Sequence, residues 1–136
     1  MNNKLWPVSV KGVIFDTSNK VLLLKNPRNE WELPGGRLEL NESPRECLAR
    51  EIIEECKIVA IPGKALSPHV FEVIPGKYVL LVPFLCTMKG LGEVTLSNEH
   101  SEACFFATDS LTNIPIPPEY ISIIREASAM HDNLVY

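Results

Sequence analysis

The sequence lacks an apolar run long enough to cross a bilayer. Its longest, Tyr78 to Cys86, is interrupted by Pro83, and a spanning helix needs about 20 apolar residues. Met1 to Val10 carries no long apolar stretch of the kind found in a secretion signal. No membrane partner is expected, and the expected compartment is a reducing cytoplasm. Cysteine chemistry is also sparse. Cys47, Cys56, Cys86 and Cys104 form no CxxC pair, and no Cys/His spacing matches a zinc site. All four are read as buried free thiols. Basic charge is not in excess, since 13 Lys and Arg face 17 Asp and Glu for a net charge of −4. A broad electrostatic grip on nucleic acid is therefore excluded. Small anionic substrates remain open, because a metal or a local basic cluster overcomes a weak overall field.

Repeats, low-complexity tracts and linkers are absent too. What remains is an ordinary globular balance of 46% hydrophobic and 22% charged residues in a chain of 136, which suits a single domain over 1–136. Val8 to Phe15 alternates and reads as a strand, Val21 to Leu24 as a second, and the turn Asp16 to Asn19 would join them as a hairpin. Asn26-Pro27-Arg28-Asn29 is a polar loop, and Trp31 to Leu33 a short extended piece. Ser43-Pro44-Arg45-Glu46 matches a helical capping box with Pro44 at the first helical position, and the helix runs to about Cys56. Ile58 to Ile61, His69 to Ile74, Tyr78 to Met88 and Cys104 to Ala107 read as strands, with a hairpin turn at Pro75-Gly76-Lys77. Pro118 to Met130 reads as a terminal helix. The order is β-rich, helix, β-rich, helix, which suggests an α/β (α+β) fold with a mixed sheet covered by helices.

The first helix carries the chemistry. At about 100° per residue, Leu48, Ala49, Ile52, Ile53 and Cys56 share one side, while Glu51, Glu54 and Glu55 cluster on the other. Like charges three or four residues apart destabilise a helix by about 0.2–0.5 kcal/mol per pair. Glu54 and Glu55 also sit near the negative end of the helix dipole. A hard cation among the three reverses the sign of all these terms, and Mg²⁺ prefers oxygen ligands. Upstream, Gly35-Gly36 lets the backbone approach a ligand closely, and Glu42 precedes the cap, within reach of the acidic face. Each feature alone has a plainer reading, a solvated helix face or a simple turn. Together, at fixed spacing, they point to a metal site.

Gly36, five residues, Glu42, seven residues, then Arg50-Glu51-Ile52-Ile53-Glu54-Glu55-Cys56-Lys57-Ile58 resembles the Nudix box, G-x5-E-x7-R-E-U-x-E-E-x-G-U with U a bulky aliphatic. The match spans residues 36–58 and misses one defined position, where Lys57 replaces a glycine. That glycine would end the helix in a left-handed conformation. Asn41, standing where many relatives have glycine, tolerates a left-handed turn. Trp31-Glu32-Leu33-Pro34-Gly35-Gly36 also resembles the family's lead-in.

The resemblance implies an α/β/α sandwich and hydrolysis of a nucleoside diphosphate linked to another group. Carried over by position, Glu51, Glu54 and Glu55, with the Gly36 carbonyl, would bind Mg²⁺ or Mn²⁺. Arg50 would orient the glutamates, and Glu42 would support the loop or a second metal. The general base would be a box glutamate such as Glu54, or Glu99 or Glu102 in the segment Ser97–Glu102, which resembles a later catalytic loop of the family. His100 has no positional support as a catalyst, and His69 and His131 are read as surface or packing residues. Lys25, Arg28 and Arg37 lie near the site and are candidates to bind phosphate. Trp31 and Phe71 are read as core.

A MutT-like pyrophosphohydrolase is the leading function. Its substrate would be a nucleoside triphosphate, nucleotide sugar, ADP-ribose or dinucleoside polyphosphate, and the small size leans towards nucleotide clean-up. The alternative is a non-catalytic nucleotide-binding regulatory module on the same fold, which would be expected to lose box acids. A structural domain with an acidic helix is third. A homodimer through a sheet edge is compatible with the family.

Overall fold

A computed structural model describes residues 5–90 and 93–134. Its strands are β1 (Val8–Ile14), β2 (Val21–Lys25), β3 (Trp31–Glu32), β4 (Gly35–Arg37), β5 (Ala60–Ala65), β6 (His69–Ile74), β7 (Lys77–Met88) and β8 (Glu102–Phe106). The helices are α1 (Pro44–Cys56) and α2 (Pro118–Leu134), with a 3-10 turn at Thr108–Asn113 that the sequence pattern does not foretell.

A five-stranded mixed sheet has the order β4-β1-β7-β5, with β6 also paired to β7. The long β7 runs parallel to β1 and antiparallel to both β5 and β6. A smaller antiparallel sheet has the order β3-β2-β8. β1 and β2 therefore do not form the expected hairpin. They touch at the Phe15–Val21 bridge and then part into different sheets. The cause is burial on both faces. Leu22 and Leu24 join one core with Val10, Ile14, Leu48 and Ile52, while Val21 and Leu23 join another with Val13, Leu81, Ile123 and Ile124. α1 covers the first core and α2 the second, giving the sandwich of helices about a sheet. Trp31 and Phe71 are buried in the second core, as expected. Cys47, Cys56 and Cys86 are buried, but Cys104 is exposed, because β8 is an edge strand of the small sheet.

Both ends of α1 follow from local chemistry. The Ser43 N–H donates to Glu46 Oε1 (3.1 Å) and the Glu46 N–H donates back to Ser43 Oγ (3.2 Å), which closes the capping box. Lys57 ends the helix with φ 59°, in the left-handed conformation that glycine would hold, and its N–H donates to the Ile53 carbonyl. Lys57 thus keeps the geometry of the box. Asn41 is left-handed as well, at φ 68°. Burying Leu48 and Ile52 stabilises the helix's seat on β1 by about 1.5–3 kcal/mol each, and both are fully buried.

Candidate active site

Pro34-Gly35-Gly36 is more than a turn. Gly35 to Arg37 pairs antiparallel with Ser9 to Lys11 of β1, which lays the glycines along the inner end of α1. Gly35 holds φ 148°, and a Cβ there would lie 1.9 Å from the Val10 carbonyl oxygen. At Gly36 a Cβ would lie 2.4 Å from the Glu51 carboxylate. A side chain at Gly35 would break the pairing with β1, and one at Gly36 would push the Glu51 carboxylate aside.

The three helix glutamates have different surroundings. Glu54 is exposed and accepts from Arg50 Nη1 (3.2 Å). Glu51 is mostly covered and accepts from the same nitrogen at 3.0 Å. Burial, with the charges of Glu54 and Glu99, pushes the Glu51 carboxyl up against the pull of Arg50. Glu55 is buried and takes the Gly35 N–H on Oε1 at 2.7 Å. Burial raises its carboxyl to about 7, although Lys11, the Gly35 N–H and His100 pull the other way. Arg50 also grips Glu42 with two hydrogen bonds, of 2.8 and 3.1 Å. Those bonds hold the Glu42 carboxyl at about 2 and keep Arg50 firmly charged. The box arginine thus ties the loop at Glu42 to two of the helix acids.

The loop before β8 completes the arrangement. The Ser97 N–H donates to the Glu55 carbonyl (3.0 Å), Thr95 N–H to the Cys56 carbonyl (2.9 Å), and Ser101 N–H to the Lys25 carbonyl (3.2 Å). The first two use carbonyls that the end of a helix leaves free, the third ties the loop to the end of β2, and together they bring Glu99 and His100 to Glu55. One ligand atom from each of Glu55, Glu99 and His100 lies within 4.8 Å of the others. The His100 side chain is 5% exposed; its Nε2 is 3.2 Å from Glu32 Oε2 and its Nδ1 3.6 Å from Glu55 Oε2. Glu32 also accepts from Asn26 Nδ2 at 2.7 Å and lies 3.7 Å from the buried Lys11 Nζ. Burial raises the Glu32 carboxyl, but His100, Lys11 and Asn26 outweigh it and hold the group at about 2. His100, which the sequence pattern gives no positional support as a catalyst, lines the same cleft as Glu55 and Glu99. Burial lowers its pKa, but the two carboxylates outweigh that and raise it. Glu32, Lys11 and Asn26 were not singled out by the sequence pattern either. A signal existed for Lys11, a lone cation in the middle of a strand that is otherwise buried.

A polar cleft of about 340 Å³ opens here, lined by Asn26, Pro27, Arg28, Glu32, Gly35, Glu55, Glu99 and His100. Arg28 thus lines the cleft. Lys25 and Glu102 do not line the cleft. They pair with each other at 3.2 Å, directly opposite on β2 and β8. Arg37 lines a different hollow, a groove of about 790 Å³ shared with Leu5, Trp6, Ile74, Lys77 and Tyr78.

Glycine-led backbone set against a helix of clustered acids, with an arginine organising those acids, is the arrangement of a Nudix hydrolase. The chain belongs to that family, whose model, the NUDIX domain, matches residues 5–127. It is 32% identical over 122 residues to an ADP-ribose pyrophosphatase of Methanocaldococcus jannaschii, covering 84% of this chain and 69% of that protein. It is 28% identical over 133 residues to a CTP pyrophosphohydrolase of Escherichia coli, covering 90% of this chain and 93% of that one. The crystal structure of a MutT protein from Methanosarcina mazei superposes with a TM-score of 0.82 at 26% identity, over 96% of this chain and 99% of that one.

Proposed function

We propose that the chain is a Mg²⁺-dependent hydrolase that cleaves the diphosphate linkage of a nucleoside diphosphate derivative. The observation that carries this reading is the close set of Gly35, Gly36, Glu51 and Glu55, where Gly36 lies against the Glu51 carboxylate and the Gly35 N–H meets that of Glu55, both carboxylates largely covered. Both carboxyls are raised by burial, which is the state expected of acids awaiting a cation. The donor set fits a hard divalent ion: carboxylates of Glu51, Glu54 and Glu55, and the Gly36 carbonyl. Such an ion, when bound, neutralises diphosphate charge and lowers the pKa of a bound water.

The chain's own residues do the rest. Arg50 keeps Glu51 and Glu54 in register with the loop through Glu42. Arg28, at the mouth of the cleft, meets substrate phosphate. Glu54 and Glu99 are the exposed carboxylates at the site, and the one not held by the ion takes the proton of the attacking water. The groove beside Arg37 seats the nucleoside. Its Trp6 and Tyr78 rings, with centroids 5.6 Å apart, offer a stacking surface. Relatives named for ADP-ribose and CTP hydrolysis support a nucleoside diphosphate derivative as the substrate class.

The test is a panel of nucleoside triphosphates, nucleotide sugars, ADP-ribose and dinucleoside polyphosphates, incubated with Mg²⁺ and scored for released nucleotide and phosphate or pyrophosphate. Turnover of at least one, lost in Glu55→Gln, supports the reading. Tight nucleotide binding without any turnover favours the regulatory module instead. The pH–rate profiles of Glu54→Gln and Glu99→Gln identify the proton acceptor.

A further inference from the structure

We propose that His100 is a nitrogen ligand of the divalent ion, bound through Nδ1 beside Glu55 and Glu99, with Glu32 holding the imidazole from behind. The inference rests on reading the cleft as a divalent-metal site. It adds to that reading a donor outside the box and of a different element.

The geometry leaves His100 half satisfied. Its Nε2 lies 3.2 Å from Glu32 Oε2. A carboxylate there accepts, so Nε2 carries the hydrogen. In the neutral ring the lone pair then sits on Nδ1. That atom is buried and has no hydrogen-bond partner among the described residues. A histidine serving only as packing normally has both ring nitrogens satisfied. The nearest acceptor, Glu55 Oε2 at 3.6 Å, is beyond hydrogen-bond range. The other oxygen of Glu55 is taken by the Gly35 N–H, so Oε2 is the one left facing the imidazole. Glu99 brings a third donor within 4.8 Å of both. A buried lone pair and two carboxylates facing one space describe a cation's coordination shell.

The support behind the ring is built for the same purpose. A metal-binding imidazole usually gives its other N–H to a carboxylate, which fixes ring orientation and makes the ligand more basic. Glu32 does this here, and it is itself fixed by Asn26 Nδ2 at 2.7 Å and by the charge of Lys11 at 3.7 Å. His100 is thus clamped from one side and open on the other.

A mixed nitrogen and oxygen shell has a consequence that an all-oxygen shell lacks. Mg²⁺ favours oxygen donors, whereas imidazole favours the later transition metals. The chain should prefer Co²⁺ and Mn²⁺ over Mg²⁺ in binding, and His100 should be the source of that preference.

The direct test is electron spin-echo modulation of Mn²⁺ added below stoichiometry to the full chain without substrate. Modulation from a directly bound ¹⁴N, altered by ¹⁵N-histidine labelling and absent in His100→Ala, is the expected result. In His100→Ala the ratio of Co²⁺ to Mg²⁺ affinity should fall at least about tenfold, and Glu32→Gln should weaken Mn²⁺ about 10–100-fold while keeping the nitrogen signal. Bound Mn²⁺ without ¹⁴N modulation in the unaltered chain overturns the proposal, whether or not the variants fold. So does a signal that survives in His100→Ala. Nitrogen coupling in a chain that hydrolyses none of the panel would uphold this inference while the hydrolase reading failed. Turnover without nitrogen coupling would do the reverse.

Discussion

The cleft at Glu55 and the groove at Trp6 are joined by β4, whose Gly35 lines the first and Arg37 the second, yet they are made of opposite materials. In the cleft Glu32, Glu55 and His100 are covered and held by named partners, Asn26 on Glu32 and Gly35 on Glu55, while only Arg28 and Glu99 of its charged residues stand exposed. The groove is more than twice as large, about 790 against 340 Å³. Its aromatic rings remain 42% (Trp6) and 40% (Tyr78) exposed. Groups that must hold charge in fixed geometry need a rigid, over-determined frame. Groups that take up a flat apolar surface need only area. On the proposed function, the difference separates where bonds are broken from where substrate is recognised, and it is open to direct attack.

The largest effect should come from the cleft. Glu55→Gln removes a buried carboxylate while keeping its volume and the acceptor for the Gly35 N–H. kcat should fall by at least about a hundredfold, since even residues behind a metal ligand cost 10–100-fold. KM for a good substrate should hardly move. A kinetic comparison with the unaltered chain checks both, and a variant that loses KM instead of kcat would break the division.

Trp6→Ala should show the opposite split. Stacking on a base is worth about 1–3 kcal/mol, and 1.4 kcal/mol is tenfold. KM should therefore rise about 5–140-fold with kcat preserved. Substrates sharing a diphosphate but differing in base should lose their ranking in this variant. If kcat falls with KM unchanged, the groove is not a recognition surface.

A third test compares the regions through pH, without substrate or metal. Burial raises Glu55 from 4.5 to about 7, and His100 is raised too. A raised folded-state pKa means the folded chain binds the proton more tightly than the unfolded one. Its stabilisation is complete below the unfolded pKa and is lost as pH rises through the folded value. For Glu55 this amounts to up to about 3 kcal/mol, at 1.36 kcal/mol per unit. Glu32 and Glu42, held at about 2, act with opposite sign, and only as pH falls below about 4.5. Thermal unfolding of the metal-free chain should therefore show Tm falling between about pH 5 and pH 8. Glu55→Gln should flatten that slope, and Mg²⁺ should restore Tm at the upper end. Trp6 carries no titratable group, so Trp6→Ala should leave the slope intact. An unchanged slope in Glu55→Gln would refute the assignment.

The cleft and the groove were also unequally legible in sequence. α1, its capping box and its acid triad follow from residues close in the chain, so periodicity and spacing reach them. The left-handed Lys57 and Asn41 keep the box geometry by local conformation alone. The partners of Glu55 are another matter. His100 and Lys11 are 45 and 44 residues away from it in sequence, and they meet it only because helix-end carbonyls recruit the loop before β8 and β1 pairs with β4. The parting of β1 and β2 depends on which core each face fills, which alternation alone does not reveal. The groove joins Trp6, Arg37 and Tyr78 across the β1–β4 and β1–β7 pairings, and no motif marks it.

The smallest effect belongs to a residue in neither region. The sequence pattern makes Glu102 a candidate base alongside Glu99, since both lie in the loop that resembles the family's later catalytic segment. Their surroundings diverge. Glu99 lines the cleft next to His100, while Glu102 starts β8 and meets Lys25 at 3.2 Å with 58% of its side chain exposed. An exposed ion pair of this kind contributes about 0–1 kcal/mol and less in salt. Glu102→Gln should therefore leave kcat and the pH–rate profile unchanged and shift stability within that range, whereas Glu99→Gln should alter turnover. The two variants assayed side by side decide it, because a loss of turnover in Glu102→Gln equal to that in Glu99→Gln would require the loop to move Glu102 into the cleft when substrate binds.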